Sequence, residues 1–170
     1  MSSAERKRSP ARSRGRAGAA LRRLVDLVSH RSGLALTTMN EAAITLPQVL
    51  LLSHVERRGS ASPSELAQAL HASLPSVSQM IDRLVQQGLL DRAEDRRDRR
   101  RKSLATTADA RAFLRKLGAA RSMEYELGLA PVPPALLAQM VLLLERVILE
   151  LEKPTNATPR RATRSPRRTR

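Results

Sequence analysis

The chain has no cysteine and no tryptophan, and only one tyrosine and one phenylalanine in 170 residues. Without thiols it cannot form disulfides, structural thiolate zinc sites or a thiol redox sensor. With so few aromatics its core must be aliphatic, and it lacks the platforms on which single-stranded or RNA bases stack. No uncharged apolar run reaches the ~18 residues a membrane span needs, and the start MSSAERKRSPARSRGR has no apolar signal core, so a soluble, cytoplasmic protein is expected. Phosphate-cradling loops, G-x-G-x-x-G, G-x-S-x-G and H-E-x-x-H are all missing. His30, His54 and His71 stand in three separate segments without ligand spacing. The reading is therefore not an enzyme, with no cofactor and no metal site.

Acidic residues are also scarce: 16 Asp and Glu face 31 Lys and Arg, a net charge of +15. The excess is uneven, with +5 in residues 1–16, +6 in residues 154–170 and +4 left for everything between. Both ends are rich in Arg, Ser, Thr and Pro and too poor in apolar residues to fold alone, so they are expected to be disordered tails. Such tails suit nonspecific contact with a polyanion, most simply DNA phosphates, though a merely solubilising role fits them equally.

What the chain does contain is concentrated between Ser62 and Thr107. S-P-S-E at Ser62–Glu65 is a helix start, with Ser62 as cap, Pro63 in the first position and Glu65 closing a capping box. A second helix begins near Ser73. Its apolar residues Val77, Met80, Ile81, Leu84 and Val85 fall at i, i+3, i+4, i+7 and i+8, one buried stripe. Ser76, Ser78, Gln79, Asp82, Arg83 and Gln86 lie off that stripe, short or amide side chains suited to a major groove. Gly88 is placed to end the helix. Leu89–Ala93 then reads as a strand, Glu94–Arg100 (E-D-R-R-D-R-R) as a charged loop, and Arg101–Thr106 as a second, poorly alternating strand. This is the order of a helix-turn-helix followed by a β-wing.

Around it lie further helices. One starts near Ala17, with Ala20, Leu21, Leu24, Leu27 and Val28 on one face; Gly33 leaves open whether Leu34–Ala43 continues it. Another is capped by Thr45 and ends at Arg57-Arg58-Gly59, and its Leu46, Val49, Leu50, Leu51 and Leu52 are expected to be buried. A long helix is expected over Ala108–Leu127. The last opens at Pro133-Pro134, where Leu137, Met140, Leu144, Val147 and Leu151 form a heptad seam that Leu136, Val141, Leu143 and Ile148 widen. A helix apolar on most faces must be covered on most faces, which favours a subunit interface over an intramolecular core.

With this order in place, SPSELAQAL, SLPSVSQMIDRLVQQGLLDR and DRRDRRRKSLATTADA make residues 17–153 resemble the MarR family of winged-helix transcriptional regulators. The resemblance implies a mainly α fold with a small β-wing. It divides the chain into a winged helix-turn-helix over 45–107 and a dimerisation end from 17–43 and 108–153, with tails at 1–16 and 154–170. It implies that Asp98-Arg99-Arg100 matches an Asp-x-Arg wing motif, with Arg100 entering a minor groove and Asp98 stabilising the wing. It implies a homodimer, and an effector pocket between the dimerisation end and the DNA-binding lobe, with a small-molecule effector of unstated identity as a further partner. The sequence departs from the family pattern at Gln79, where Arg is frequent, at Lys102 and Ser103 in the strand, and at Thr106-Thr107 and Ala110.

The expected DNA-binding residues are Pro75, Ser76, Ser78, Gln79 and Arg83 in the recognition helix and Arg97, Arg100 and Lys102 in the wing. The expected dimerisation residues are Leu21, Leu24, Leu137, Met140, Leu144, Val147, Ile148 and Leu151. The leading expectation is a sequence-specific dimeric repressor on a pseudo-palindromic operator in double-stranded DNA. An architectural DNA-binding protein of low specificity, its affinity supplied by the basic tails, stays open beside it.

Overall fold

A computed structural model describes residues 10–29, 33–94 and 102–153. Seven helices and one antiparallel strand pair are described: α1 (Pro10–Ser29), α2 (Leu34–Glu41), α3 (Leu46–Arg58), α4 (Pro63–Ala69), α5 (Leu74–Gln86), β1 (Leu90–Glu94), β2 (Lys102–Thr106), α6 (Ala108–Leu129) and α7 (Pro134–Glu152). The chain divides into two compact units, residues 1–130 and 131–170.

In the first unit, local signals set the helix starts. Thr45 and Gln48 form a capping box at α3, as Ser62 and Glu65 do at α4. At α5 and α6 the caps are Ser73 and Thr107, whose hydroxyls accept from the amides of Ser76 and Ala110. Each such cap is worth about 1 kcal/mol against an alanine. The turn from α4 to α5 passes through His71 at φ 49°, a left-handed residue with a side chain beyond Cβ. After α5 the amide of Leu89 bonds the Leu84 carbonyl at 2.8 Å and that of Gly88 the Val85 carbonyl at 3.0 Å. This paired closure requires a left-handed residue between them, and Gly88 supplies it at φ 69°.

The core joins α3, α4, α5, the strands and α6. Leu51, Leu52, Val55, Leu66, Val77, Leu84, Leu90 and Leu104 are its largest fully buried side chains. Burial of each contributes about 1.5–3 kcal/mol before entropy is charged against it. Two leucines of α3 depart from expectation: Leu46 and Leu50 are 52% and 50% exposed. Helical period explains this, because Gln48, Val49, Leu51, Leu52 and Val55 occupy one arc and leave Leu46 and Leu50 on the opposite side.

Gly33 separates α2 from α1, so Leu34–Glu41 is a helix of its own. Buried Glu124 of α6 accepts from the Ala35 amide at 3.0 Å, satisfying a free N–H in the first turn of α2. α1 starts at Pro10, earlier than the Ala17 boundary expected, so residues 10–16 are helical where a tail was expected. Ala and Arg favour helix without needing burial, and Pro10 takes the first position. Near its far end α1 crosses α6 closely. A Cβ on Gly128 would lie 2.6 Å from Val28 Cα and Cβ and 2.8 Å from its carbonyl oxygen, so only glycine fits.

The second unit is described by itself. α7 has no buried residue: Leu137 and Met140 are half-buried, and the rest of its apolar side chains, from Leu136 to Leu151, are exposed. Among the described residues no helix is long and apolar enough to cross a membrane.

Candidate nucleic-acid interface

α5 buries Val77, Ile81 and Leu84 and turns Pro75, Ser76, Gln79, Asp82, Arg83 and Gln86 outward. Four of the five residues expected to meet DNA on this helix, Pro75, Ser76, Gln79 and Arg83, are thus exposed on its free side. Ser78 stands apart from them. It is half-buried and lines a narrow cleft with Pro63, Ile81, Arg92 and Leu104, on the side of α5 that meets the wing.

The strands carry the wing. Leu90 pairs with Thr106, Arg92 with Leu104 and Glu94 with Lys102, in antiparallel register. Their base is held from four directions. Ala61, before α4, bridges to Leu104 through two backbone hydrogen bonds of 2.9 and 3.2 Å. Thr107 Oγ1 donates to the Gly88 carbonyl at 2.7 Å, tying the start of α6 to the turn after α5. The Thr106 hydroxyl donates to the Glu56 carboxylate of α3, and the Arg111 guanidinium donates to the Thr106 carbonyl at 2.8 Å. Contacts like these fix where the two strands leave the rest of the unit.

Of the expected wing residues, Arg97, Asp98 and Arg100 lie outside the described residues, as does the side chain of Lys102, whose backbone begins β2. A different ion pair joins the strand pair to α5: the Arg92 guanidinium of β1 donates to the Asp82 carboxylate. Ten residues and a chain reversal at Gly88 separate the partners, and no periodic pattern marks that spacing, so the pair is not legible in the sequence. Leu74, at the first position of α5 beside Pro75, is 47% exposed and also stands outward, which its apolar character does not signal in the sequence. An apolar residue there can meet a thymine methyl in a major groove.

The expected dimerisation residues fall on two helices, each with apolar surface to spare. On α1, Leu21 is exposed and Leu24 half-buried. On α7, Leu144, Val147, Ile148 and Leu151 are exposed, Leu151 most of all at 77%. Within the first unit a crevice of about 550 Å³ lies between α1, α2 and α6, lined by Val25, Ser29, Leu36, Arg121, Glu124 and Tyr125 among others.

Known proteins share this arrangement. Residues 44–101 match the model of the MarR family. The transcriptional regulator Tm0710 from Thermotoga maritima superposes with a TM-score of 0.69 at 21% identity, covering 81% of this chain and 95% of its own. Wild-type MarR from E. coli, in its apo form, gives 0.60 at 20% identity over 77% of this chain and 95% of its own. The MepR–DNA complex from S. aureus gives 0.56 at 17% identity, with 81% and 96% covered. At these identities the likeness is one of fold. No curated protein matches the chain.

Proposed function

From the premise that this chain carries the winged helix of the MarR family of DNA-binding transcriptional regulators, we propose that it is a dimeric repressor of a pseudo-palindromic operator. The observation that carries this is the outward face of α5. Pro75, Ser76, Gln79 and Arg83 stand free on a helix whose opposite face is locked into the core, beside a two-stranded wing braced at its base. Serine hydroxyls and the Gln79 amide are donors and acceptors sized for base edges, Arg83 suits a phosphate, and the Arg-rich loop between β1 and β2 suits a neighbouring minor groove. A structure of MepR in complex with DNA, on the same fold, supports the geometry.

The homodimer is proposed from the apolar surface that α1 and α7 leave exposed, with two recognition helices then meeting half-sites about one helical turn apart. Release by a small-molecule effector is proposed to act at the cleft between α3 and α6, where Glu56, Arg57 and Arg121 stand beside apolar Val49, Leu114 and Leu117. The tails at 1–9 and 154–170 would add salt-dependent phosphate contact without choosing a sequence.

The test is selection of a binding site from random duplexes, followed by competition. A regulator holds its selected site in a large excess of random DNA. Loss of the complex to random competitor, together with loss of all binding when residues 1–16 and 154–170 are removed, would instead establish the low-specificity coating protein.

A further inference from the structure

Asp82 is the single acidic residue of α5, and it lies on the outward face between Gln79, Arg83 and Gln86. On a surface meant for phosphates an unpaired carboxylate is a liability, because like charges brought together cost binding. In the structure it is not unpaired. Arg92 reaches from β1 to hold it, while the Arg92 stem lies along the cleft with Pro63, Ile81 and Leu104.

We propose that Arg92 acts as a masking residue for the recognition helix: it neutralises Asp82 so that the reading face can approach the DNA backbone. This rests on the DNA-binding reading above. Stability is not what the pair provides. The Arg92 and Asp82 side chains are 48% and 55% exposed, and exposed pairs of this kind contribute little to folding. Facing a polyanion the same pair matters more, because its loss leaves a net negative charge on the contact surface, an effect that added salt screens.

Masking and mere bracing predict different outcomes. If the pair only braced the wing against α5, breaking it from either side would do equal harm. If Arg92 masks Asp82, the two sides are unequal, because removing the acid removes the need for the mask.

The experiment uses the full chain and an operator selected from random duplexes. Arg92→Met keeps the stem in its cleft and removes the charge, and Asp82→Asn removes the acid. Arg92→Met is expected to weaken operator binding on the order of tenfold at low salt, with the defect shrinking as salt rises. Asp82→Asn is expected to bind at least as tightly as the parent, and the double variant to recover to within about twofold of the parent, since the charge it would mask is gone. Thermal unfolding of all three, followed by circular dichroism, should stay with the parent. An Arg92→Met variant that binds as the parent does, or a double variant as weak as Arg92→Met alone, overturns the proposal. A parent that retains no duplex overturns the DNA-binding reading as well, which separates the two failures.

Discussion

The winged helix and α7 are both rich in leucine, yet they treat it in opposite ways. Between Ile44 and Thr107 most of the large apolar side chains form one covered cluster, Leu46, Leu50 and Leu74 apart, with Leu51, Leu52, Leu66, Val77, Leu84, Leu90 and Leu104 essentially inaccessible. Over Pro134–Glu152 no residue is buried at all. Periodicity is present in both and does not separate them. What separates them is the packing inside each unit: α4 and α5 bury their stripes against neighbouring elements of the first unit, whereas α7 carries apolar residues around most of its circumference. A covered apolar face builds a domain, and the uncovered one on α7 is the surface from which the dimer is proposed.

That contrast can be broken most severely from the covered side. Leu66→Ala, in the fully buried face of α4, should cost about 2–5 kcal/mol in urea unfolding, because a cavity forms among α4, α5 and the strands. A loss under about 1 kcal/mol would mean the cluster is less tightly packed than its burial implies. Next comes the crossing of α1 and α6. Gly128→Val places side-chain atoms where Val28 backbone already stands, and should destabilise the chain by about 1–3 kcal/mol, with Gly128→Ala milder but still measurable.

From the uncovered side, Leu144→Glu combined with Ile148→Glu should leave the helical signal of the winged helix in place while sedimentation shows monomers. A dimer surviving both changes would move the interface away from α7. Smallest in stability is Arg83→Ala, expected to shift unfolding by no more than ~0.5 kcal/mol, as for other exposed sites. Its effect lies in binding: affinity should fall for all sequences alike, and the slope of log K against log salt should decrease by about 1.

The pattern of what could be read in the sequence follows the range of the interactions. Thr45 and Ser62 are legible as caps because a cap and its partner lie within a turn of each other. The stripe of α5 is legible for the same reason, and the wing strands because only a short charged stretch separates two short strand-like runs. The apolar run Leu46–Leu52 hid its period, so Leu46 and Leu50 read as core although only the other arc of α3 is covered. The early start of α1 at Pro10 escaped because an Ala- and Arg-rich helix needs no apolar pattern to form. The two contacts that most shape the candidate site and its surroundings, Arg92 with Asp82 and Glu124 with the Ala35 amide, join residues brought together only by the tertiary fold. Departures from the family pattern at Gln79 and Ala110 do not prevent the fold: Gln79 remains on the outward face, and buried Ala110 receives the Thr107 cap.

The most direct test of the central claim is the mass of the complex on a selected operator, measured by sedimentation in excess random duplex. Two copies of the chain on one pseudo-palindromic site, resistant to the competitor, is the result this account predicts. A single copy per site, or a mass that grows with the length of any duplex offered, would contradict it.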